Sequence, residues 1–469
     1  MINKNDKKSK QEKTYEIRID SIEKTSDTLS DRAGLALFSR YLSKVGIYSK
    51  VTKYFGSMRK SRKGMPIENI FKQLFCSFTD GTSFHLTHFD NMAKDKGYIE
   101  TIENTERAML SSHSAKRFFK SFSPARLWKF RKLLQDLFIW RLVIKKPGIV
   151  VLGIDTMVMD NNSAKIREGV SPTYKRVKGF QPLQVYWNGY LIDAVFRGGK
   201  NHSNHSDTVV EALTHIIKRI RNEYRKDVPI LVLADAGFYS EKNFKALENL
   251  NTAYICGGRV YDDIKASIES IGGFNNYIGK ENIWEFVDFI DKRDKWDKGR
   301  HAIYLKPFVN DEGETVLPFA RETDRIIYTN LGVDEELDEL FIKAGKEEYF
   351  KAEKIIESYH NRGNDELVNR ALKEFGTEEL PFKRFLPNAA FSYSIVLSFF
   401  PYESFKRDVS NGIIDVKSYP TTFRRILIDF AGKLIHTGRR IILKVSQYIY
   451  ERLNIPLLWE RCNSPPVIA

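Results

Sequence analysis

Two uninterrupted apolar runs, each closed by a carboxylate, limit the fold most: GIVVLGID at 148–155 and PILVLAD at 229–235. Runs without polar alternation predict strands buried on both faces, in the middle of a sheet covered on each side. Asp155 and Asp235 therefore stand where buried strands emerge. Between the runs, LQVYW and YLIDAVF flank Asn188-Gly189, the strongest short hairpin signal. The segment 207–226 reads as a helix with Asp207 placed to cap it. After Asp235, GFYS leads into a helix at 241–249, and TAYICGG at 252–258 reads as a further strand.

Strand, hairpin, helix, strand, helix, strand is the order of a ribonuclease H-like α/β fold, and that fold sets its first two acids at the positions of Asp155 and Asp235. With 469 residues the chain exceeds what one core usually organises, so several regions are expected. Residues 1–13 read as a disordered basic arm and 14–147 as a helical DNA-binding region. The ribonuclease H-like core then occupies 148–258 and resumes at 346–400. Between its parts lies a β-rich insertion at 259–345, where WEFVDFI, HAIYLKPFV and TDRIIYTNL alternate like strands and DEGE at 311–314 reads as a turn. Residues 401–469 read as helical, with a break at Thr437-Gly438 and an unstructured NSPPVIA ending.

Charge narrows the partner. The chain carries 75 basic against 60 acidic residues, net +15, which favours a polyanion without separating DNA from RNA or a membrane surface. No apolar run reaches membrane-spanning length and no secretory leader is evident, so a cytoplasmic protein without membrane partners is expected. Cys76, Cys256 and Cys462 are too scattered for a zinc site or a disulfide framework; the first two read as buried thiols and Cys462 as exposed. The segment 112–146 is the most lopsided in charge, with Asp136 as its single acid. Such a density repels itself unless it meets an anion. SSHSAKRFFK at 111–120, with Lys116, Arg117 and Lys120, reads as a candidate recognition helix, and 124–143 as its support. Ordinary solvated helix faces are the alternative. Further basic loops are MRKSRKG at 58–64 and the stretch holding Lys165, Arg167, Lys175, Arg176 and Lys178.

The segment IIESYHNRGNDELVNRALKEF at 355–375 reads as one amphipathic helix. At roughly 100° per residue, Tyr359, Arg362, Glu366 and Lys373 fall at about 0°, −60°, −20° and −40°, a single polar stripe. Leu367, Val368, Leu372 and Phe375 fall on the opposite side. A solvated face carries such residues anyway, but the spacing adds to that. Tyr, two residues, Arg, three residues, Glu, six residues, Lys resembles the signature of bacterial insertion-sequence transposases of the DDE type, in the superfamily called "IS four". ADAGFYS around Asp235 and YTNLG at 328–332 also resemble that family's motifs, and the C-terminal segments resemble its "IS thirteen-eighty" branch.

The resemblance, which covers about residues 148–400, implies that Asp155, Asp235 and Glu366 are catalytic acids. It implies a site holding two Mg²⁺ ions, with Mn²⁺ able to substitute, DNA phosphate contacts from Arg362 and Lys373, and a Tyr359 that either bonds a phosphate oxygen or packs beside the terminal nucleotide. It further implies double-stranded DNA bearing terminal inverted repeats, target DNA, and a homodimer in the synaptic complex. Carboxylates suit Mg²⁺, which takes oxygen ligands and keeps waters. Two other readings stay open: a DNA-binding repressor derived from a transposase, and a metal nuclease that only hydrolyses. Trp284 and Trp296 read either as core or as wedges between bases. Asp160 and Asp193 read as solvated or turn-forming acids, and His202 and His205 as surface histidines.

Overall fold

Alternate residues of the two apolar runs enter opposite cores. Ile230, Val232 and Ala234 belong to one hydrophobic cluster, Leu231 and Leu233 to another, as the two-residue period of a strand buried on both faces requires. The computed structural model describes residues 18–58, 64–164, 166–201, 203–204, 207–279, 283–294, 296–308 and 323–468. The expected N-terminal arm, most of the 58–64 loop, His202, His205 and the DEGE turn lie outside them.

The strands are β1 (Val150–Thr156), β2 (Leu183–Trp187), β3 (Tyr190–Val195), β4 (Ile230–Ala234), β5 (Ala253–Gly257), β6 (Asn275–Ile278), β7 (Ile283–Asp291), β8 (Arg300–Pro307) and β9 (Arg325–Thr329). They form one sheet in the order β6-β7-β8-β9-β5-β4-β1-β2-β3. Only β1–β4 and β4–β5 pair in parallel. The β2–β3 turn has positive φ at both Asn188 (47°) and Gly189 (73°), the geometry for which Asn-Gly is favoured. Strands β6–β9, expected as an insertion, extend the same sheet through the pairing of Thr329 with Ile255. Trp284, Phe286, Ile303, Leu305 and Ile327 alternate into one face, so Trp284 is core. Trp296 is half-buried, its ring 5.3 Å from that of Tyr328.

Among the helices are α1 (Leu35–Val45), α2 (Ile47–Phe55), α3 (Ile67–Asp80), α4 (Ser112–Lys120), α5 (Pro124–Lys145), α6 (Thr208–Arg219), α7 (Glu241–Glu248), α8 (Glu335–Lys343), α9 (Ala352–Asn361), α10 (Asn364–Phe375), α11 (Phe385–Phe405), α12 (Gln447–Arg452) and α13 (Ile455–Asn463). Helices α8 and α9 cover one sheet face with Leu337, Phe341, Ile355 and Ile356. On the other face α11 runs through the centre of the N-terminal helices, packing against α5, α3 and α4. It is apolar all round because it is buried all round. Among the described residues no helix is long and apolar enough to cross a membrane.

Several expectations need correction. Residues 432–445 are not helical: β10 (Gly432–Thr437) and β11 (Arg440–Val445) form a hairpin. Gly438 takes a φ of 58° at the first turn position, which glycine permits, and Ile441 and Ile442 are β-branched. Cys462 is buried, because α13 packs on α1. The C-terminal segment is pinned: the Trp140 indole donates to the Val467 carbonyl at 3.0 Å, and the Ile468 N–H to Val45 at 2.9 Å. Asp207 makes no side-chain cap and pairs with Lys242 instead.

The charge of α5 is also partly internal. Asp193, expected in solvent, is fully buried, held by Arg131 at 2.6 and 2.8 Å and by Gln135 at 2.9 Å. Arg141 is equally buried, bonded to Asp408 at 2.8 and 2.9 Å and to the Tyr190 hydroxyl at 2.8 Å. The strand YLIDAV carries its acid inward because a helix cation meets it there. Asp408→Ala leaves Arg141 charged, buried and unpaired; the expected cost is about 3–5 kcal/mol, read as a lower urea midpoint. A midpoint within error of the parent protein would contradict this account of α5.

Candidate active site

Parallel pairing fixes where the strand-end acids stand. Ile154 pairs with Ala234, so the next position on each strand is Asp155 and Asp235, one strand spacing of roughly 4.8 Å apart along the backbone. Both point to the face covered by α9 and α10, since Ile154 and Ala234 turn the other way. The Asp235 carboxylate accepts the Gly237 N–H at 2.8 Å and caps the short turn Ala236–Phe238. One Asp155 oxygen accepts the Thr156 N–H at 2.7 Å; the other accepts the Asn369 amide at 3.2 Å. Asn369 is oriented in turn by the Tyr186 hydroxyl, 2.5 Å from its side-chain oxygen.

The third acid arrives on a broken helix. Residues 355–375, expected as one helix, divide into α9 and α10 at Arg362-Gly363. There the backbone bonds close over three residues: Arg362 to Tyr359, Gly363 to His360, Asp365 to Arg362, and Glu366 to Gly363. These tighter turns, beside a glycine that favours helix poorly, rephase the residues of α10. Leu367, expected on the apolar side, is 53% exposed. Glu366 is exposed, and Asp365 seats against β1, where any side chain at Gly153 would strike its carboxylate. Tyr359 is partly buried, its hydroxyl against Gly257 at the end of β5 with no room for a Cβ there.

Electrostatics ties these groups together. Burial pushes the Asp155 carboxyl up to about 6; the charges of Asp235 and Glu366 add to this, while the Thr156 N–H and Arg362 oppose it. Burial likewise pushes Asp365 up to about 7, against Arg362 and with Asp155. Arg362 thus acts on two carboxylates, Asp155 and Asp365, yet its Nε is buried and without a hydrogen-bond partner among the described residues. His360, between the rings of Tyr277 and Trp284, is held down to about 4 by burial and Arg325, so it stays neutral.

The remaining candidates lie apart from this centre. Lys373 pairs with Glu378 at 2.7 Å. Helix α4 buries Phe118 and Phe119, the latter 5.3 Å from the Phe391 ring, and leaves Lys116, Arg117 and Lys120 exposed as expected. Asp160 is exposed and accepts the Asn162 N–H at 2.8 Å, a turn-forming acid. Asp365, Asn369 and Tyr174 were not singled out in the sequence. Asp365 sits beside Glu366 and Asn369 one turn beyond it, but their roles depend on a helix phase that the break resets.

The donors fit a divalent cation in kind, being hard carboxylates whose mutual repulsion such a cation relieves. Among the described residues no group of three His, Cys, Asp or Glu side chains is gathered to hold a metal.

The family model described as "Transposase DDE domain group 1" matches residues 14–461. No curated protein matches the chain. Among solved structures, a piggyBac transposase synaptic complex with hairpin DNA is similar at 13% identity and a TM-score of 0.37, over 92% of this chain and 82% of that one.

Asp365 gives a test of the buried geometry. Above about pH 7 its carboxylate is ionised in folded and unfolded chains alike, and the folded state bears the full burial penalty. As pH falls through the raised folded value of about 7, the folded chain takes up the proton first and stability rises; near the ordinary value of about 4 the unfolded chain follows and the penalty is gone. Asp365→Asn in metal-free buffer should therefore stabilise the protein by about 1–3 kcal/mol near pH 8 and by less near pH 5. An equal effect at both pH values would mean that the carboxyl is not buried against Gly153.

Proposed function

The chain belongs to the family described as Transposase DDE domain group 1, and on that premise we propose that it is an insertion-sequence transposase that cuts DNA at its element's ends and transfers the cut 3′ ends to a target. The observation that carries the catalytic part is the β1–β4 register, which makes Asp155 and Asp235 neighbours, with Glu366 on α10 acting electrostatically on Asp155. The strand arrangement supports reading β1–β5 with α6 and α7 as a ribonuclease H-like core: an antiparallel trio followed by two parallel strands.

Asp155 would be shared by two divalent ions, Mg²⁺ or in its place Mn²⁺, with Asp235 and Glu366 holding one each. When bound, such ions supply a nucleophile at neutral pH and charge stabilisation on the attacking and leaving oxygens. The protein's own groups do the rest. Asn369 and the Thr156 N–H fix both oxygens of Asp155, so the shared ligand does not swing. Gly237 fixes Asp235 in the same way. Arg362, whose charge acts on Asp155 and Asp365, would donate to a phosphate oxygen, and Tyr359 holds the α9 end that carries it against β5. Lys373 reaches a phosphate only by exchanging Glu378 for it.

Double-stranded DNA is the partner, engaged by the exposed Lys116, Arg117 and Lys120 of α4 through its phosphates, and its scissile phosphate would meet the three acids through the cations they hold. Two ends must be joined in one reaction, so two copies of the chain act together on the DNA. The reading is tested with duplexes carrying the element's terminal inverted repeats and Mg²⁺. Asp155→Asn, Asp235→Asn and Glu366→Gln should each lower cutting at least about a hundredfold while binding in Ca²⁺ persists. Joined products from Asp235→Asn would remove the proposed site; cutting without joining would leave a nuclease, and binding without cutting a repressor.

A further inference from the structure

Just beyond Asp155 the chain leaves the sheet, folds into a hairpin and returns as β2. Three short strands, Met159–Asp160, Ser171–Pro172 and Lys178–Phe180, make a small sheet of their own. The turn between the last two is closed by the Thr173 N–H and hydroxyl, each 2.9 Å from the Val177 carbonyl. Arg176 takes a left-handed φ of 61° within it. The root is fixed by backbones in close approach: a Cβ at Gly179 would strike the Met159 carbonyl, and one at Gly199 the carbonyls of Ser171 and Gly179. Phe180 anchors the base, 4.8 Å from the Phe196 ring.

A rigid stem thus carries an exposed tip. Tyr174 is 62% exposed, and Lys175, Arg176 and Lys178 are exposed beside it. The Lys175 ammonium lies 5.8 Å from the Tyr174 ring centre. Thr156, the last residue of β1, pairs with Leu183, the first of β2, so the hairpin rises from the sheet end that bears Asp155 and Asp235. The acids act on its tip: partial desolvation and then the charges of Asp155, Asp235 and Glu366 raise the Tyr174 phenol above its ordinary value. DNA phosphate approaching three carboxylates is repelled unless cations accompany it. Lys175 and Arg176 supply two that are fixed to the chain.

We propose that this tip is a finger gripping the DNA strand: the Tyr174 hydroxyl donates to a non-bridging oxygen of the phosphate brought to Asp155, Asp235 and Glu366, and Lys175 and Arg176 pair with the phosphates flanking it. The proposal rests on the reading of those acids as a phosphodiester-cutting site. It assigns a contact to a hairpin that the three-acid mechanism leaves unused.

The full-length protein tests it with a fluorescent duplex of the terminal repeat, bound in Ca²⁺ across a salt series and cut in single turnover with Mg²⁺. Tyr174→Phe should cut about ten- to a hundredfold more slowly when the protein is held below its Kd for the duplex, the loss of one hydrogen bond to a charged group. Lys175→Ala with Arg176→Ala should weaken binding and lower the slope of log affinity against log salt by about 1.8, two phosphate contacts. Parent rates for Tyr174→Phe and an unchanged salt slope, with Asp155→Asn inactive, would overturn the finger and leave the three acids standing. Should parent protein and Asp155→Asn be alike in cutting nothing, the acid reading fails, and an unchanged salt slope then overturns the finger as well.

Discussion

The parallel pairing of β1 with β4, Val150 to Ile230 through Ile154 to Ala234, governs the arrangement of everything around it. It places two strands where both faces must be covered, and the sequence supplies apolar residues at every position to do so. Because the strands run parallel and in step, the polar residues that end them emerge together. A slip of one residue in either strand would send one acid to the opposite face and separate the two carboxylates. The pairing that makes the core continuous is therefore the pairing that makes Asp155 and Asp235 neighbours. Helices α9 and α10 then bring a third acid over that face, and the break at Arg362-Gly363 sets which side chain of α10 meets the sheet.

The chain's excess of positive charge divides into two kinds with different consequences. Arg131, partly buried, and Arg141, fully buried, pair with Asp193 and Asp408 and tie α5 to the sheet and to the segment after α11. These pairs are structural, and they account for part of the charge density that the sequence alone attributes to an external anion. Lys116, Arg117 and Lys120 on α4, and Lys175 and Arg176 on the hairpin, stay exposed on elements whose other faces are packed. Rigid presentation of cations at the surface is what sequence-independent attraction to DNA needs. The N-terminal helices that carry the first of these sets share one hydrophobic cluster with β1 and α11.

Legibility in the sequence depends on the range of the interactions. β1 and β4 were legible because a short apolar run rich in Val, Ile and Leu and closed by a turn suits a buried strand, and the β2–β3 turn because Asn-Gly names its own geometry. Helices α4 and α5 stand where the concentration of basic residues placed them, although α5 is buried on too many sides to show an amphipathic period. Asp193 was not, since its partner Arg131 lies 62 residues away and nothing local distinguishes a buried acid from a turn. The β10–β11 hairpin was misread because GKLIHT and RIILKV satisfy either period, and only the glycine at a positive φ decides between two helices and one tight turn. The Asp155–Asp235 juxtaposition was expected from fold order and the structure brings it about; the seat of Asp365 against Gly153 and the support from Asn369 needed the helix break, which a uniform angle of 100° per residue erases.

Three carboxylates from β1, β4 and α10 acting as one divalent-cation site is the idea on which the proposed chemistry stands. Anomalous diffraction at the manganese edge, from crystals of the full-length protein bound to a terminal-repeat duplex and soaked in Mn²⁺, decides it. Two peaks about 3.5–4 Å apart among Asp155, Asp235 and Glu366 are expected. Ordered DNA at the strand ends with manganese bound elsewhere, or with none beside Asp155, would refute it.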